Sequence, residues 1–437
     1  MKVHYFENDT EIDKDKNIIS GDKTSTKNSK IFVQNDSIRG LHSEVFSINK
    51  KIKSLKSIVM ENLINESGEK YRNLRVNIVT WADVDKTTFM CWGDYWVKNE
   101  MNKELELLGC KINNDMLEAD ITIYLFGSPF NYRPMKPYMY NPMSYNILWL
   151  YSHPMKINKY ELLKYDYVFC LSKFFLDKLK TMYSFVHDEP LYGCTNFKVP
   201  KKSKYGTNND LIMVANARGD GAPYGRKIIK YLVSISSDLK KYRIKVWGHK
   251  WSNFVRYNKF PKEWYIDKYW PYSELPILYR NSRAVLIDGY EDMATYGFVQ
   301  MKVFDVFASG GLPIVQYNVG IDDIFGENVV LQFKDSVSLK NCIDVLEDEN
   351  ECKRRIKIGK KIANSYTYKK TVLAILDAVY DNVLEEDDIR FISKNKILES
   401  KNNPMNLKIL EKYYPSVKRN RKIIYLADGD NIIEKQR

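Results

Sequence analysis

Apolar and polar residues repeat along this chain with two periods, one suited to buried strands and one to helices, and the two alternate in order. LRVNIVTWA, from Leu74, is an apolar run of strand length. GDYWVKNEMNKELELLG then repeats its apolar residues at helical spacing and closes on Gly109. ADITIYLFG and YNILWLYSHP read as further buried strands, ELLKYDYVFCLS as a helix-to-strand step and KFFLDKLKTM as a helix. Basic, turn-rich FKVPKKSKYGTNND has the composition of a linker. A second series follows: strand LIMVANARG, helix GRKIIKYLVSISSDL, strand RIKVWG, helix SELPILYRN, strand AVLIDG, another helix and strand LPIVQYN. Strands alternating with helices predict an α/β fold of two parallel-sheet domains, which would face each other across a cleft.

The flanks differ in pattern. Residues 1–35 are polar and poor in large apolar side chains, the composition of a disordered tail, and 36–70 carry Ile48, Ile52, Leu55, Ile58 and Leu63 at helical spacing, a helical extension. The expected domains are 71–200 and 201–385, and 386–437 is expected to be a helical, basic extension. Within the second domain, GFVQMKVFDVFASGGLPIV (297–315) opens like an exposed loop, becomes a helix and breaks at Gly310 and Gly311. Lys302 lies one turn before Asp305 on that helix, an arrangement that an ordinary salt-bridged face also explains.

Length agrees with two domains, since 437 residues exceed what one core usually serves. The net charge of +13 calls for an anionic partner: nucleic acid, an anionic membrane surface or a phosphorylated small substrate. No apolar run approaches the ~18 residues of a spanning helix, and the N-terminus lacks a signal-peptide core, so a cytoplasmic protein is expected. The six cysteines form no CxxC pair and the five histidines no HxxxH or HExxH, which predicts neither structural metal nor a disulfide framework.

Candidate chemistry gathers where strands end and helices begin. In MVANARGDGAPYGRKIIKYL, Asn216, Arg218, Gly219 and Arg226 follow a strand; the glycines allow close backbone approach and the two arginines offer forks suited to a diphosphate, although the spacing is not that of a P-loop. A solvated glycine-rich surface turn is the alternative. Trp270 and Tyr272 stand in WSNFVRYNKFPKEWYIDKYWPY, where aromatic and basic residues interleave as stacking platforms do, and equally as core packing does. Asp94, at a helix start, and His153, after a strand, are candidates for a general base; a helix cap and a structural histidine are the respective alternatives. Two DxD tripeptides, at 83–85 and 428–430, are poor candidates for holding a metal, because the first sits in a βα loop and only seven residues follow the second. A polynucleotide-binding role leaves the two βα series unexplained.

LPILYRNSRAVLIDGYEDMATYGFVQMKVFDVFASGGLPIV resembles the C-terminal domain of GT-B glycosyltransferases, in particular the bacterial glycosyltransferase-like group of CgeB-type spore-maturation proteins. NARGDGAPYGRKII, VWGHKW and WPYSELPILY occur in the order that group shows, and WGDYWVKNEMNKELELLG, ILWLYSHP and YDYVFCLS agree in the N-terminal half. The resemblance runs from about Leu74 to about Asp381. It implies two Rossmann-like domains, an N-terminal one for the acceptor and a C-terminal one for a nucleoside-diphosphate sugar, with Asp305 on the ribose and Lys302 on phosphate. It further implies transfer to a glycan, lipid-linked or protein acceptor; Arg218, Arg226, Lys302 and the helix N-termini together suffice for the diphosphate, so no metal or cofactor is expected. The basic C-terminal stretch could touch the inner face of the membrane or close back on the enzyme, and a solvated tail is its plainer reading. A noncatalytic binding or scaffold protein, and a glycerophosphotransferase or nucleotide-sugar epimerase on the same fold, are the alternatives. Two departures stand out. Lys302 occupies a position where relatives usually carry arginine, and Gly297 one where many GT-B enzymes carry an acid; Asp292 is near but out of register.

Overall fold

The structure, a computed structural model, describes residues 71–80, 83, 93–113, 119–126, 144–154, 162, 165–183, 185–200, 209–217, 226–251, 254, 261–266, 270–385, 423–427 and 431–435. The tail expected over 1–35 and the helical extension expected over 36–70 lie outside the described residues. The chain forms two compact units, one made of Met1–Leu150, Met155–Phe169 and Leu373–Arg437, the other of Tyr151–Pro154 and Cys170–Val372.

The first unit is built on β1 (Arg75–Thr80), α1 (Gly93–Leu107), β2 (Lys111–Ile112), β3 (Ile121–Phe126), β4 (Tyr145–Leu150) and β5 (Tyr167–Cys170). Its sheet runs in the order β2-β1-β3-β4-β5, with parallel ladders joining β1 to β2, β1 to β3 and β3 to β4. Val97, Met101 and Leu105 recur at four-residue intervals on α1 and are all buried, which is the stripe that the helical period predicts. Buried polar groups are matched across the strands: Thr122 and Ser144 share a hydrogen bond of 2.7 Å, and Tyr124 Oη donates to Asn146 Oδ1 at 3.0 Å. At the strand starts, Arg75 Nη2 meets Asp120 Oδ1 at 2.6 Å and ties β1 to the entry of β3.

The second unit contains α2 (Lys173–Lys180), β6 (Asn209–Val214), α3 (Lys227–Ser234), β7 (Ile244–Trp247), β8 (Tyr265–Ile266), α4 (Leu275–Arg280), β9 (Ser282–Ile287), α5 (Glu291–Thr295), α6 (Met301–Ala308), β10 (Pro313–Gln316), α7 (Ile321–Phe325), β11 (Leu331–Phe333), α8 (Ser336–Asp344) and α9 (Glu349–Ala363). α10 (Tyr368–Glu385) follows. Six parallel strands lie in the order β11-β10-β9-β6-β7-β8. The chain therefore starts in the middle, works outward to β8 and returns to the other side of β6 at β9. Strand order reverses between β6 and β9, and in such sheets the crevice beyond the carboxyl ends of the strands at the reversal is where ligands bind. Leu211, Ile212, Val285, Leu286 and Ile314 form the buried sheet layer, covered in part by Val303, Phe304, Val306 and Phe307 of α6.

The 297–315 stretch keeps its predicted helix and changes its predicted beginning. Phe298 and Val299 are 0% and 1% exposed, so the segment opens inside the core rather than as a surface loop. Gly297 makes this geometry accessible: its φ is +73°, and a Cβ there would lie 2.7 Å from the Phe174 ring and 3.0 Å from Ser172 Oγ. α6 ends in a Schellman closure, with Gly310 at φ +82°, Gly310 N bonded to Phe307 O at 2.9 Å and Gly311 N to Val306 O at 2.9 Å. Gly311 then passes so close to the end of α4 that a Cβ would lie 2.8 Å from Tyr279 O. The two glycines thus do different work, one turning the chain and one admitting a neighbour.

Within the extension expected to be helical over 386–437, the two described elements are strands, β12 (Ile423–Ala427) and β13 (Asn431–Lys435), paired as an antiparallel hairpin. Their β-branched residues, Ile423, Ile424, Ile432 and Ile433, favour extended backbone.

Candidate functional site

The carboxyl ends of β6 and β9 carry a set of polar groups built one on another. β6 ends at Val214, and α3 begins after Arg226, which forms its N-cap without a side-chain capping bond. The Arg226 side chain turns toward the sheet instead: Nε donates to Asn216 O at 2.8 Å and Nη1 to Asp288 Oδ1 at 2.5 Å. Asp288 is the first residue beyond β9, and its side chain is fully buried while that of Arg226 is 16% exposed, so this is a largely desolvated ion pair. Asn216 Oδ1 accepts from His249 N at 2.9 Å, fixing the turn after β7 against the turn after β6. Gln300 Nε2 donates to Asp288 O at 2.9 Å.

Lys302 enters this set from the first turn of α6. Its Nζ donates to Val214 O at 2.6 Å, at the carboxyl end of the first strand, instead of forming the surface pair with Asp305 that the spacing also allowed. Burial first, and the Arg226 charge after it, lower its pKa from 10.5 to about 8 against the opposing charges of Asp288 and Asp305. The site thus brings together a guanidinium and an ammonium whose pKa is lowered to about 8.

Asp305, one turn further along α6, accepts a hydrogen bond of 2.6 Å from Thr195 Oγ1, whose oxygen in turn accepts from Phe197 N at 3.0 Å. On the other side of β6, Val214 is in register with Trp247, and the Trp270 ring meets Trp247 edge-on at 5.6 Å. The Trp270 indole N–H is buried with no hydrogen-bond partner among the described residues. Tyr272 packs on Phe197 at 4.9 Å.

His153 and Asp292 come together within this unit, Nδ1 to Oδ2 at 3.6 Å. His153 adopts φ +50°, uncommon for a residue with a Cβ, and its ring lies 4.1 Å from that of Tyr290. The other Asp292 oxygen, Oδ1, accepts from Met293 N at 2.9 Å and anchors the carboxylate. Asp94 belongs to the other unit, buried in the first turn of α1. Arg218 and Gly219 lie outside the described residues, as do Asp85 and the 428–430 tripeptide. Asp83 is engaged by Thr80 N and Lys98 Nζ, each at 2.8 Å.

Asp288, Gln300 and Thr195 are absent from the sequence candidates. Asp288 had a readable signal, an acid directly after the apolar strand run AVLI and before a glycine; Gln300 and Thr195 had none, because their partners are far away in sequence.

Residues 226–377 match a family model described as glycosyl transferase-like. Among solved structures, sucrose-phosphate synthase from Thermosynechococcus elongatus aligns with TM-score 0.51 and 11% identity, over 72% of this chain and 100% of that one. A glycosyltransferase from Rickettsia africae gives TM-score 0.48 and 13% identity over 72% and 99%. T4 phage β-glucosyltransferase gives 0.46 and 13% over 71% and 99%. No curated protein matches the sequence. The fold class is GT-B, two α/β units with parallel sheets, and residues 226–377 form a glycosyl transferase-like region. No helix among the described residues is long and apolar enough to cross a membrane.

Proposed function

We propose that this chain is a glycosyltransferase that takes a sugar from a nucleoside-diphosphate donor, in the manner of the CgeB-type group its motifs resemble. The observation that carries the reading is the pair of cations, Arg226 and Lys302, held at the strand-order reversal by Asp288, Asn216 O and Val214 O. A diphosphate there meets two positive groups and the first turn of α3, and its developing charge on leaving is stabilised without a metal ion. Asp305 supplies an acceptor for ribose hydroxyls, and the orphan indole N–H of Trp270 a donor for a base carbonyl.

His153 is the group for the sugar. Its Nδ1 side faces Asp292, which leaves Nε2 for a hydroxyl, and a strained backbone that persists in a folded chain is a recurrent feature of working sites. The acceptor is a glycan, a lipid-linked saccharide or a protein side chain, presented by the first unit with Asp94.

Gly297 favours a second reading, donor binding without transfer. The chain has no acid at that position to contact the sugar, and φ +73° with the Phe174 ring 2.7 Å from where a Cβ would stand strains any side chain placed there.

Thermal shift with UDP, GDP, ADP and dTDP and their sugars tests binding, and mass spectrometry of donor and released sugar tests chemistry. One nucleotide series should raise the melting temperature and its sugar should be cleaved or transferred slowly. Stabilisation with no turnover against any acceptor favours the second reading; no stabilisation by any diphosphate refutes both.

A further inference from the structure

The solvent-facing side of α9 carries a charge pattern that the donor site does not use. Between Glu349 and Lys370 stand eight lysines and arginines against two acids. Both acids are consumed in the first half of the helix: Glu349 pairs with Lys353 at 2.8 Å, and Glu351 with Arg354 at 2.7 Å and Arg355 at 2.8 Å. Lys357, Lys360 and Lys361 follow with no carboxylate partner among the described residues. Arg354, Lys357, Ile358, Lys361 and Ile362 share one side of the helix and, with Ser365 just beyond its end, line a groove of about 670 Å³. Ile358 and Ile362 pack on the core beneath yet stay partly exposed between the cations.

A solvated helix end accounts for lysines near the C-terminus, where they complement the helix dipole, but not for isoleucines left part-exposed among them. A soluble polyanion engages the cations and gains nothing from the isoleucines. An anionic bilayer surface uses both, attracting the lysines to its headgroups and receiving the apolar side chains at the acyl boundary.

We propose that this face of α9 docks the protein on an anionic lipid surface. The inference is independent of the donor chemistry. Each basic residue near an anionic membrane adds about 1 kcal/mol, so reversing two of them lowers partitioning at least about thirtyfold.

The test is co-sedimentation of the full chain with vesicles of phosphatidylcholine alone and of phosphatidylcholine mixed with phosphatidylglycerol. The variants are Lys357→Glu/Lys361→Glu, a charge-matched control Lys103→Glu/Lys240→Glu, and Ile358→Asn. The wild type and the control should bind the anionic vesicles and not the neutral ones. The α9 double variant should lose that binding, with an unchanged melting temperature because both lysines are exposed. Ile358→Asn should weaken binding most in high salt, where charge attraction is screened. Equal loss in the control, equal binding to neutral vesicles, or binding of soluble polyphosphate with none to vesicles would each overturn the proposal.

Discussion

Lys302 should take up a proton when a nucleoside diphosphate binds. With its pKa near 8, about half the molecules carry an uncharged Lys302 at pH 8. A diphosphate next to Nζ interacts with it at an effective dielectric of about 20 by roughly 4 kcal/mol per unit charge at 4 Å, enough to raise the pKa by several units. A rise of only one unit, about 1.4 kcal/mol, already lifts the charged fraction from one half to about nine tenths, an uptake of about 0.4 proton. The ligand's own phosphates are fully ionised at this pH and bind better ionised, so they contribute no uptake. Calorimetry of the binding reaction at pH 8 in Tris and in HEPES, whose ionisation enthalpies differ, measures the number of protons directly. The wild type should show about 0.4 to 0.5 proton taken up, and its affinity should fall about fivefold between pH 8 and pH 9 as the charged form becomes scarce. Lys302→Met should show weaker binding and no uptake. An uptake near zero in the wild type, or one that persists in Lys302→Met, would refute the contact between Lys302 and phosphate.

Asp288→Asn leaves the Arg226 guanidinium in a desolvated place without its counter-charge and should destabilise the chain by about 3 kcal/mol in urea titration, whereas a solvated pair in that position would change stability by less than about 1 kcal/mol. Gly297→Ala should cost about 1 to 3 kcal/mol by the same measurement, because φ +73° disfavours a Cβ and the Phe174 ring is 2.7 Å from where it would stand; an unchanged midpoint would show that the crossing is loose. The folded-state pKa of Lys302 is below its ordinary value, so above pH 8 the unfolded chain binds more protons and this group makes stability rise between about pH 8 and pH 10.5; Lys302→Met should lack that rise in melting temperature. Asp292→Asn should lower turnover by about ten- to a hundredfold and shift the pH profile of kcat while leaving diphosphate affinity unchanged, and an unaltered profile would remove Asp292 as the positioning partner of His153.

Sequence patterning showed the sheets and little of how the site closes. Three strands of the first unit, β1, β3 and β4, were legible because Val76–Thr80, Ile121–Leu125 and Tyr145–Leu150 are buried throughout and read as largely apolar runs, while the two-residue β2 offers no period to detect. α1 was equally legible from its Val97, Met101 and Leu105 stripe and its closing glycine. The buried start at Phe298 was not, because Gly297 reads as a surface turn until Gly320 is found against it, and the two are joined only by the fold. The cations behaved similarly. Arg226 and Lys302 stood out by residue type and position after strands, but whether each meets solvent, acid or carbonyl depends on Asp288 and Val214, which lie 62 and 88 residues away from them. Local spacing allowed an Asp305 partner for Lys302; the end of β6 supplies instead the nearby acceptor that a largely desolvated ammonium needs.

A lysine rather than an arginine at position 302 has a physical rationale in this arrangement. A guanidinium is a permanent charge in proteins, and a second one beside Arg226 would set two like charges in a partly desolvated space whenever the site is empty. Asp288, whose Oδ1 lies 2.5 Å from Arg226, offsets one of them and supports a second charge at Lys302 only in part, since burial outweighs it there. An ammonium relaxes the conflict in two ways. It is small enough to give one proton to Val214 O and keep two others for another acceptor, and at a pKa near 8 it loses its charge at modest cost when no anion is near. Arrival of a dianion reverses the balance, since the anion's field outweighs the repulsion from Arg226 and restores the proton. In the proposed donor site the lysine would be a cation whose charge its ligand completes, exchanging the bidentate grip of arginine for a site that tolerates being empty.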